Sequence, residues 1–233
     1  MKSAVTIVVA PEALAGQRVT LSGDVYHHLF RVRRLARDQE LRLVDGSGLA
    51  RSGRILSVEA DRATVATGAV VPTNEPQLIL ELWVAPPRPR RAAWLVEKAT
   101  EVGVAAVRFI ETRRGSRDLS RQGVERLQRV ASAAVEQCHR ARVPEVTGPH
   151  GWDECLDRLE GRVSWALVPG GESIPEPPSE GPMALVVGPE GGWAAEELVQ
   201  LTAGGAGRVG LGPRVLRVET AAVVGAALAL SSS

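Results

Sequence analysis

The stretch MALVVGPEGGW (residues 183–193), read with its echo VGLGPRVLRVET (residues 209–220), decides the fold. In each, a short apolar run stops at a Gly-Pro turn: 183–187 before Gly188-Pro189-Glu190-Gly191-Gly192, and 209–211 before Gly212-Pro213-Arg214. A short apolar run bounded by Gly and Pro predicts a buried strand ending in a tight turn. Ligands in α/β folds sit where strands end at their carboxyl side, so two such loops close together predict the floor of one pocket. A further strand over 163–168, leading into Pro169-Gly170-Gly171, adds Leu167 and Pro169 as a third wall.

The first loop is no phosphate cradle. It lacks the Lys and hydroxyl of a P-loop and the G-x-G-x-x-G spacing of a dinucleotide fingerprint, and its centre carries the anion Glu190. Exposed backbone at Gly191 and Gly192 suits a ligand read through neutral edges, such as adenine and ribose, and the acidic neighbour tolerates a cation. S-adenosylmethionine meets that description. The second loop runs through Arg214 to Thr220 into the apolar stretch 221–230, which is too short to cross a bilayer and predicts a helix buried on all sides. Glu219 and Thr220 fall at its positive end.

These residues also carry a resemblance. VVGPEGGWAAEEL and GLGPRVLRVETAAVVGAALAL, with HHLFRVRRL, LVDGSG, EKATEVGV and EQCHRARVPEV in the same order, are similar to the ribosomal RNA small subunit methyltransferase E family of the SPOUT superfamily. The resemblance covers nearly the whole chain. It implies an α/β fold: a PUA-like RNA-binding β-barrel over residues 1–72, then a methyltransferase domain over 73–233 with a mostly parallel sheet and a deep trefoil knot. It also implies a homodimer that uses S-adenosylmethionine to methylate N3 of a uridine in 16S ribosomal RNA, within the small subunit. The general rarity of knots argues the other way on the chain's threading. The chain departs from the family at Glu97, where glutamine is usual, and at Arg88-Pro89-Arg90-Arg91, where a lysine-bearing loop is usual.

Composition narrows the rest. With 233 residues and 44% hydrophobic side chains the chain can bury a sizeable core. No charged leader followed by an apolar run opens it and no run is long enough to span a membrane, so a cytoplasmic site is expected. Cys138 and Cys155 are then expected to stay reduced. A zinc reading of Cys138, His139, His150 and Cys155 fails on spacing, and no metal is expected. Net charge is only +1, but the ten basic residues up to Pro72 face seven acidic ones, and residues 88–140 hold twelve basic against six acidic. Both segments are candidate phosphate contacts. All but Lys2 and Lys98 of these cations are arginine, which suits bidentate contacts, while 3% aromatics weigh against base-stacking platforms.

Taken in order, Val5 opens a first strand and Asp24 caps a short helix with Leu29, Val32 and Leu35 inward and Arg31, Arg33, Arg34 and Arg37 outward. Short strands around Asp45-Gly46-Ser47-Gly48 predict a small barrel, and the Pro-containing stretch 71–76 a boundary. Strand 78–85, helix 92–102 and strand 104–110 form a β-α-β unit, hence a parallel sheet. Arg113, Arg114, Arg117 and Arg121 precede a helix over 121–139, and a Pro-, Glu- and Ser-rich loop fills the stretch up to Pro182.

Methyl transfer to a uracil nitrogen needs the proton to leave and a cation to steady the charge that moves onto the uracil oxygens. Arg214 and Arg217 are the candidates for the cation, with an ion pair to Glu190 or Glu219 as the bland reading; Glu219 or Glu190 or solvent takes the proton. The cofactor set is Leu167, Pro169, Gly188, Pro189, Glu190, Gly191, Gly192, Leu211, Gly212, Val215 and Leu216. Arg31, Arg33, Arg34, Arg88, Arg113 and Arg140 form the RNA set, Arg140 by resemblance, which also sends Glu136 and Gln137 toward the active site or the partner subunit. Two other readings stay open: a related enzyme acting on a ribose 2′-hydroxyl or another base, and a non-catalytic RNA-binding protein.

Overall fold

The computed structural model describes residues 4–115 and 119–231, so Arg117 lies outside the described residues. Two compact units result. The first comprises residues 1–75 together with 135–143, and the second residues 76–134 and 144–233.

The first unit contains β1 (Val5–Val8), α1 (Pro11–Ala15), β2 (Arg18–Ser22), α2 (Gly23–Tyr26), a π-helix (His27–Val32), β3 (Glu40–Val44), β4 (Ala50–Val58) and β5 (Arg62–Val70). The strands join in the order β1-β3-β4-β5-β2 as a curled half-barrel, antiparallel except where β1 runs parallel to β3. Alternation places Val19 and Leu21 of β2 and Ala63 and Val65 of β5 on the inner face, around a core with Ile7, Leu14, Leu41, Leu43 and Ile55. The predicted α-helix after Asp24 is instead one α-turn followed by the π-helix. Its wider winding, seen in the bond from Arg33 N–H to the His28 carbonyl, brings adjacent Leu29 and Phe30 together into the core and leaves Val32 exposed.

Residues 135–143 complete this unit through contacts far apart in sequence. Thr6 Oγ1 pairs with His139 Nδ1 at 2.8 Å, and the Val8 N–H donates to Glu136 Oε1 at 3.2 Å. The Glu75 carboxylate receives Arg140 Nη2 at 2.7 Å and the backbone N–H groups of Ala141 and Arg142 at 2.8 and 3.0 Å.

The second unit continues with β6 (Leu78–Val84), α3 (Pro89–Val102), β7 (Ala106–Ile110), α4 (Arg121–Cys138, whose last turn counts with the first unit), β8 (Glu145–His150) and α5 (Trp152–Leu159). It ends with β9 (Val163–Glu172), β10 (Gly181–Val187), α6 (Ala195–Ala203), β11 (Gly207–Val209) and α7 (Val218–Leu230). Its six strands lie in the order β11-β9-β10-β6-β7-β8, every pairing parallel. Both faces are covered, as a parallel sheet requires. One packs Trp83, Ala184 and Val186 against Cys155 and Leu159 of α5 and Leu201 of α6, while α7 lies on β6 and β10 with α3 beside it. Burial pushes the Cys155 thiol up to about 12, so it is an inert core group.

Two boundaries move from expectation. β9 runs on through the predicted Pro-Gly turn to Glu172, because β11 pairs along it as far as Val209↔Glu172. α7 is not buried on all sides: Val224, Ala227 and Leu228 are exposed, as is Trp94 of neighbouring α3.

Candidate functional site

The carboxyl ends of β9, β10 and β11 open into one cavity of about 630 Å³. Leu167 and Pro169 form one wall, the 188–193 loop a second and the 211–218 segment a third, with Arg88 and Arg91 of the α3 start at its edge. All eleven residues expected to hold the cofactor line it. The volume falls within the ordinary range for small-molecule sites, and the mixture of aliphatic wall with a few polar groups is typical of them.

The first loop is held shut by a side chain that the motif reading passed over. The Gly192 N–H donates to the Pro189 carbonyl at 2.9 Å, with Gly192 at φ 72°, and Trp193 then folds back so that Nε1 donates to the Leu167 carbonyl at 3.0 Å. Its ring lies directly on Gly188, where a Cβ would sit 2.7 Å from the ring carbons. That contact explains why the loop begins with glycine. An aromatic residue immediately after the glycines was the available signal.

Glu197, 1% exposed, fixes the loop from behind by accepting the N–H of Ala194 at 2.8 Å and that of Arg113 at 2.7 Å. Arg114 Nη1 reaches the Gly191 carbonyl at 3.3 Å. Loop 111–115 is therefore fastened to the cavity loop, with the side chain of Arg113 exposed.

In the second loop, Arg214 and Arg217 are exposed and line the cavity, and neither forms an ion pair among the described residues. The carboxylates considered as their partners are engaged elsewhere. Arg91 Nη1 lies 2.9 Å from Glu190 Oε1, and Arg91 Nε lies 3.4 Å from Glu219 Oε1. Glu219 is 6% exposed, stands behind the cavity wall in the first turn of α7, and keeps Oε2 buried without a hydrogen-bond partner among the described residues.

The arginines of the RNA set divide. In the first unit Arg31, Arg33 and Arg34 are all exposed, and Arg31 in addition donates through Nη2 to the Ala60 carbonyl at 2.7 Å and stands 5.7 Å over the Tyr26 ring. In the second unit Arg88 lies on the cavity edge. Arg140 is interior at 8% exposure, its guanidinium bound to Glu75 within the first unit, and half-buried Glu136 accepts the Val8 amide there. The reason lies far away in sequence: Glu75, 65 positions earlier, supplies the acceptors for Arg140 and for the amides of Ala141 and Arg142, which follow His139 at φ 62°.

The parallel sheet with its strand-end cavity and the separate half-barrel give a two-unit protein with a small-molecule site. The family models agree: one described as RNA methyltransferase domain matches residues 73–230, and one described as RNA methyltransferase PUA domain matches residues 21–67. The chain is 33% identical to ribosomal RNA small subunit methyltransferase E of Mycobacterium bovis, covering 90% of this chain and 84% of that one. It is 29% identical to the protein of that name from Synechocystis, covering 94% and 74%. Among solved structures, ribosomal RNA small subunit methyltransferase E from Neisseria gonorrhoeae, bound to S-adenosyl methionine, superposes with a TM-score of 0.88 at 27% identity, over 97% of this chain and 96% of that one. A putative methyltransferase from Legionella pneumophila, also with bound cofactor, gives 0.84 at 25% identity over 99% and 98%. The chain belongs to the ribosomal RNA small subunit methyltransferase E family.

Proposed function

We propose that this protein transfers a methyl group from S-adenosylmethionine to N3 of a uridine in 16S ribosomal RNA of the small subunit. The observation that carries the reading is the convergence of both Gly-Pro loops on one cavity whose rim holds two arginines without acidic partners among the described residues. Family membership supports methylation of ribosomal RNA with this cofactor.

The residues present fit the cofactor. Leu167, Leu211, Val215 and Leu216 offer apolar surface for a purine, the backbone of residues 188–192 can approach closely, and Glu190 and Arg88 give charge for the ends of a zwitterion. When bound, the cofactor supplies an electrophilic methyl group on a sulfonium. The chain's own work is to orient the acceptor base and to steady the charge that develops on the uracil oxygens as its N–H proton leaves. Arg214 and Arg217 serve that second role from the rim. Glu219, behind the wall, anchors the helix that follows them, and water at the mouth takes the proton.

The same reading assigns residues 1–72 as the RNA-binding domain, with Arg33 and Arg34 contacting phosphates, and residues 73–233 as the methyltransferase domain, with Arg88 and Arg113 as its phosphate contacts. A homodimer is supported by α7, whose exposed Val224, Ala227 and Leu228 make an apolar face on an otherwise largely buried helix, with Trp94 exposed on neighbouring α3. The trefoil knot that the family implies is supported by the strand order, in which the chain returns after β10 to add β11 beyond β9 before α7 closes over β6 and β10. No helix among the described residues is long and apolar enough to cross a membrane, in keeping with a cytoplasmic site.

Two measurements test this function. Ribosomal RNA from cells with and without the gene is digested and its nucleosides are separated by mass spectrometry; loss of 3-methyluridine supports the reading, and loss of a 2′-O-methylated nucleoside transfers the activity to the ribose. Calorimetry with S-adenosylmethionine separates an enzyme from a binding module, which would show no heat.

A further inference from the structure

Helix α3 begins against its own electrostatics. Arg90 and Arg91 lie in its first turn behind Arg88 at the N-cap, and that turn holds no acidic residue. The unpaired amides of a helix N-terminus amount to about half a positive charge and favour anions, so three arginines there oppose the local preference. Local rules broken in this way mark functional constraints. The geometry of Arg91 shows the constraint: its Nη1 holds Glu190 in the first cavity loop at 2.9 Å, and its Nε faces Glu219 in the first turn of α7 at 3.4 Å. Glu219 follows Arg217 by two residues and has its second oxygen buried without a hydrogen-bond partner among the described residues. One guanidinium thus joins the loop expected to hold the cofactor to the start of the helix that follows the rim arginines.

We propose that Arg91 is a positioning residue for methyl transfer. By spanning Glu190 and Glu219 with separate nitrogens it sets the spacing between the 188–192 loop and the start of α7, and so places Arg217 and Arg214 against the methyl acceptor. The inference rests on the S-adenosylmethionine reading of the cavity. Arginine suits the site because its Nη1 and Nε meet the two carboxylates from separate points of a rigid planar fork, positions that the one nitrogen of a lysine ammonium does not occupy together.

The test uses the full-length protein, S-adenosylmethionine and small ribosomal subunits lacking the modification, with KM for the cofactor, KM for the subunit and kcat measured separately. A charged hydrogen bond is worth roughly 1.5–3 kcal/mol, so Arg91→Met is expected to raise the cofactor KM about tenfold and lower kcat about tenfold. Arg91→Lys recovers the cofactor KM through Glu190 but leaves kcat low. Glu190→Gln raises the cofactor KM alone, and adds nothing to it when combined with Arg91→Met. Wild-type constants in Arg91→Met overturn the proposal, as does full rescue of both constants by lysine. A defect confined to the KM for the subunit, with a weaker salt dependence, also overturns it and makes Arg91 a phosphate contact. Should Arg91→Met fail to fold by circular dichroism, the lysine and Glu190→Gln arms decide in the same way. Absence of heat when the wild-type protein meets S-adenosylmethionine sinks the cofactor reading itself, whereas wild-type binding with kinetically silent Arg91 variants sinks the positioning role alone.

Discussion

The buried carboxylate of Glu197 accepts the backbone N–H of Arg113 at 2.7 Å, across 84 positions of sequence, while its other oxygen accepts the N–H of Ala194. One side chain therefore fastens both the loop after β7 and the turn that closes the cavity. Replacing it by alanine leaves two amides without acceptors, each costing about 1–3 kcal/mol when buried. Glu197→Ala is expected to lose about 2–4 kcal/mol of stability in urea unfolding, and Glu197→Gln, which keeps one acceptor oxygen, about half of that.

A methyl group at Gly188 would collide with the Trp193 ring at 2.7 Å, so Gly188→Ala must displace that ring and the bond from Trp193 Nε1 to Leu167. The expected result is at least about a tenfold weaker affinity for S-adenosylmethionine in calorimetry, the loss of one hydrogen bond and its packing. Intrinsic tryptophan fluorescence should shift to longer wavelength.

Arg214 lines the cavity without an ion-pair partner among the described residues, so its removal should leave the pocket in place. For Arg214→Ala the dissociation constant for S-adenosylmethionine is expected to stay near wild type while kcat falls about 10²–10³-fold, the usual effect of deleting one group that stabilises transition-state charge. Equal turnover by the variant refutes the assignment.

Arg33 and Arg34 are exposed, and Arg34 holds φ at 57°. If each meets one phosphate, Arg33→Ala and Arg34→Ala should each lower the slope of log affinity against log salt by about one unit in filter binding to ribosomal RNA. Arg31→Ala should instead lower thermal stability, because its guanidinium is tied to Ala60 and stacked over Tyr26.

Burial works to raise the pKa of Glu75, but the Arg140 guanidinium and the amides of Ala141 and Arg142 outweigh it and hold the carboxyl below its ordinary 4.5. A depressed folded-state pKa contributes stability above the unfolded value, and that contribution is lost as pH falls through the folded one. Thermal melts of the wild type should therefore decline below about pH 4.5 more steeply than those of Glu75→Gln. Near neutral pH the variant should be less stable by about 3 kcal/mol, the cost of breaking a buried ion pair.

Much of the site was legible because its signals are local. Apolar runs cut by Gly-Pro mark strand ends, and the strand ends of a parallel sheet lie on one edge, so the two loops and the wall at Leu167 could be brought together from spacing alone. What escaped depends on contacts distant in sequence. Arg140 looks like an exposed cation until Glu75 is placed beside it, and the fastening of Arg113 by Glu197 has no periodic trace. The π-helix defeats a 3.6-residue reading because it seats Leu29 and Phe30 side by side. Arg91 left a usable sign, a cation in the first turn of a helix, which composition alone treats as one more charge.

The half-barrel is written in two pieces of the gene, with residues 135–143 supplying what residues 1–75 lack. A fragment stopping at residue 75 would strand the carboxylate of Glu75, the amide of Val8 and the hydroxyl of Thr6 with water as their only partner. Isolating that module therefore calls for splicing the distant nonapeptide back on through a tether, and a protease nick between the two pieces need not release either.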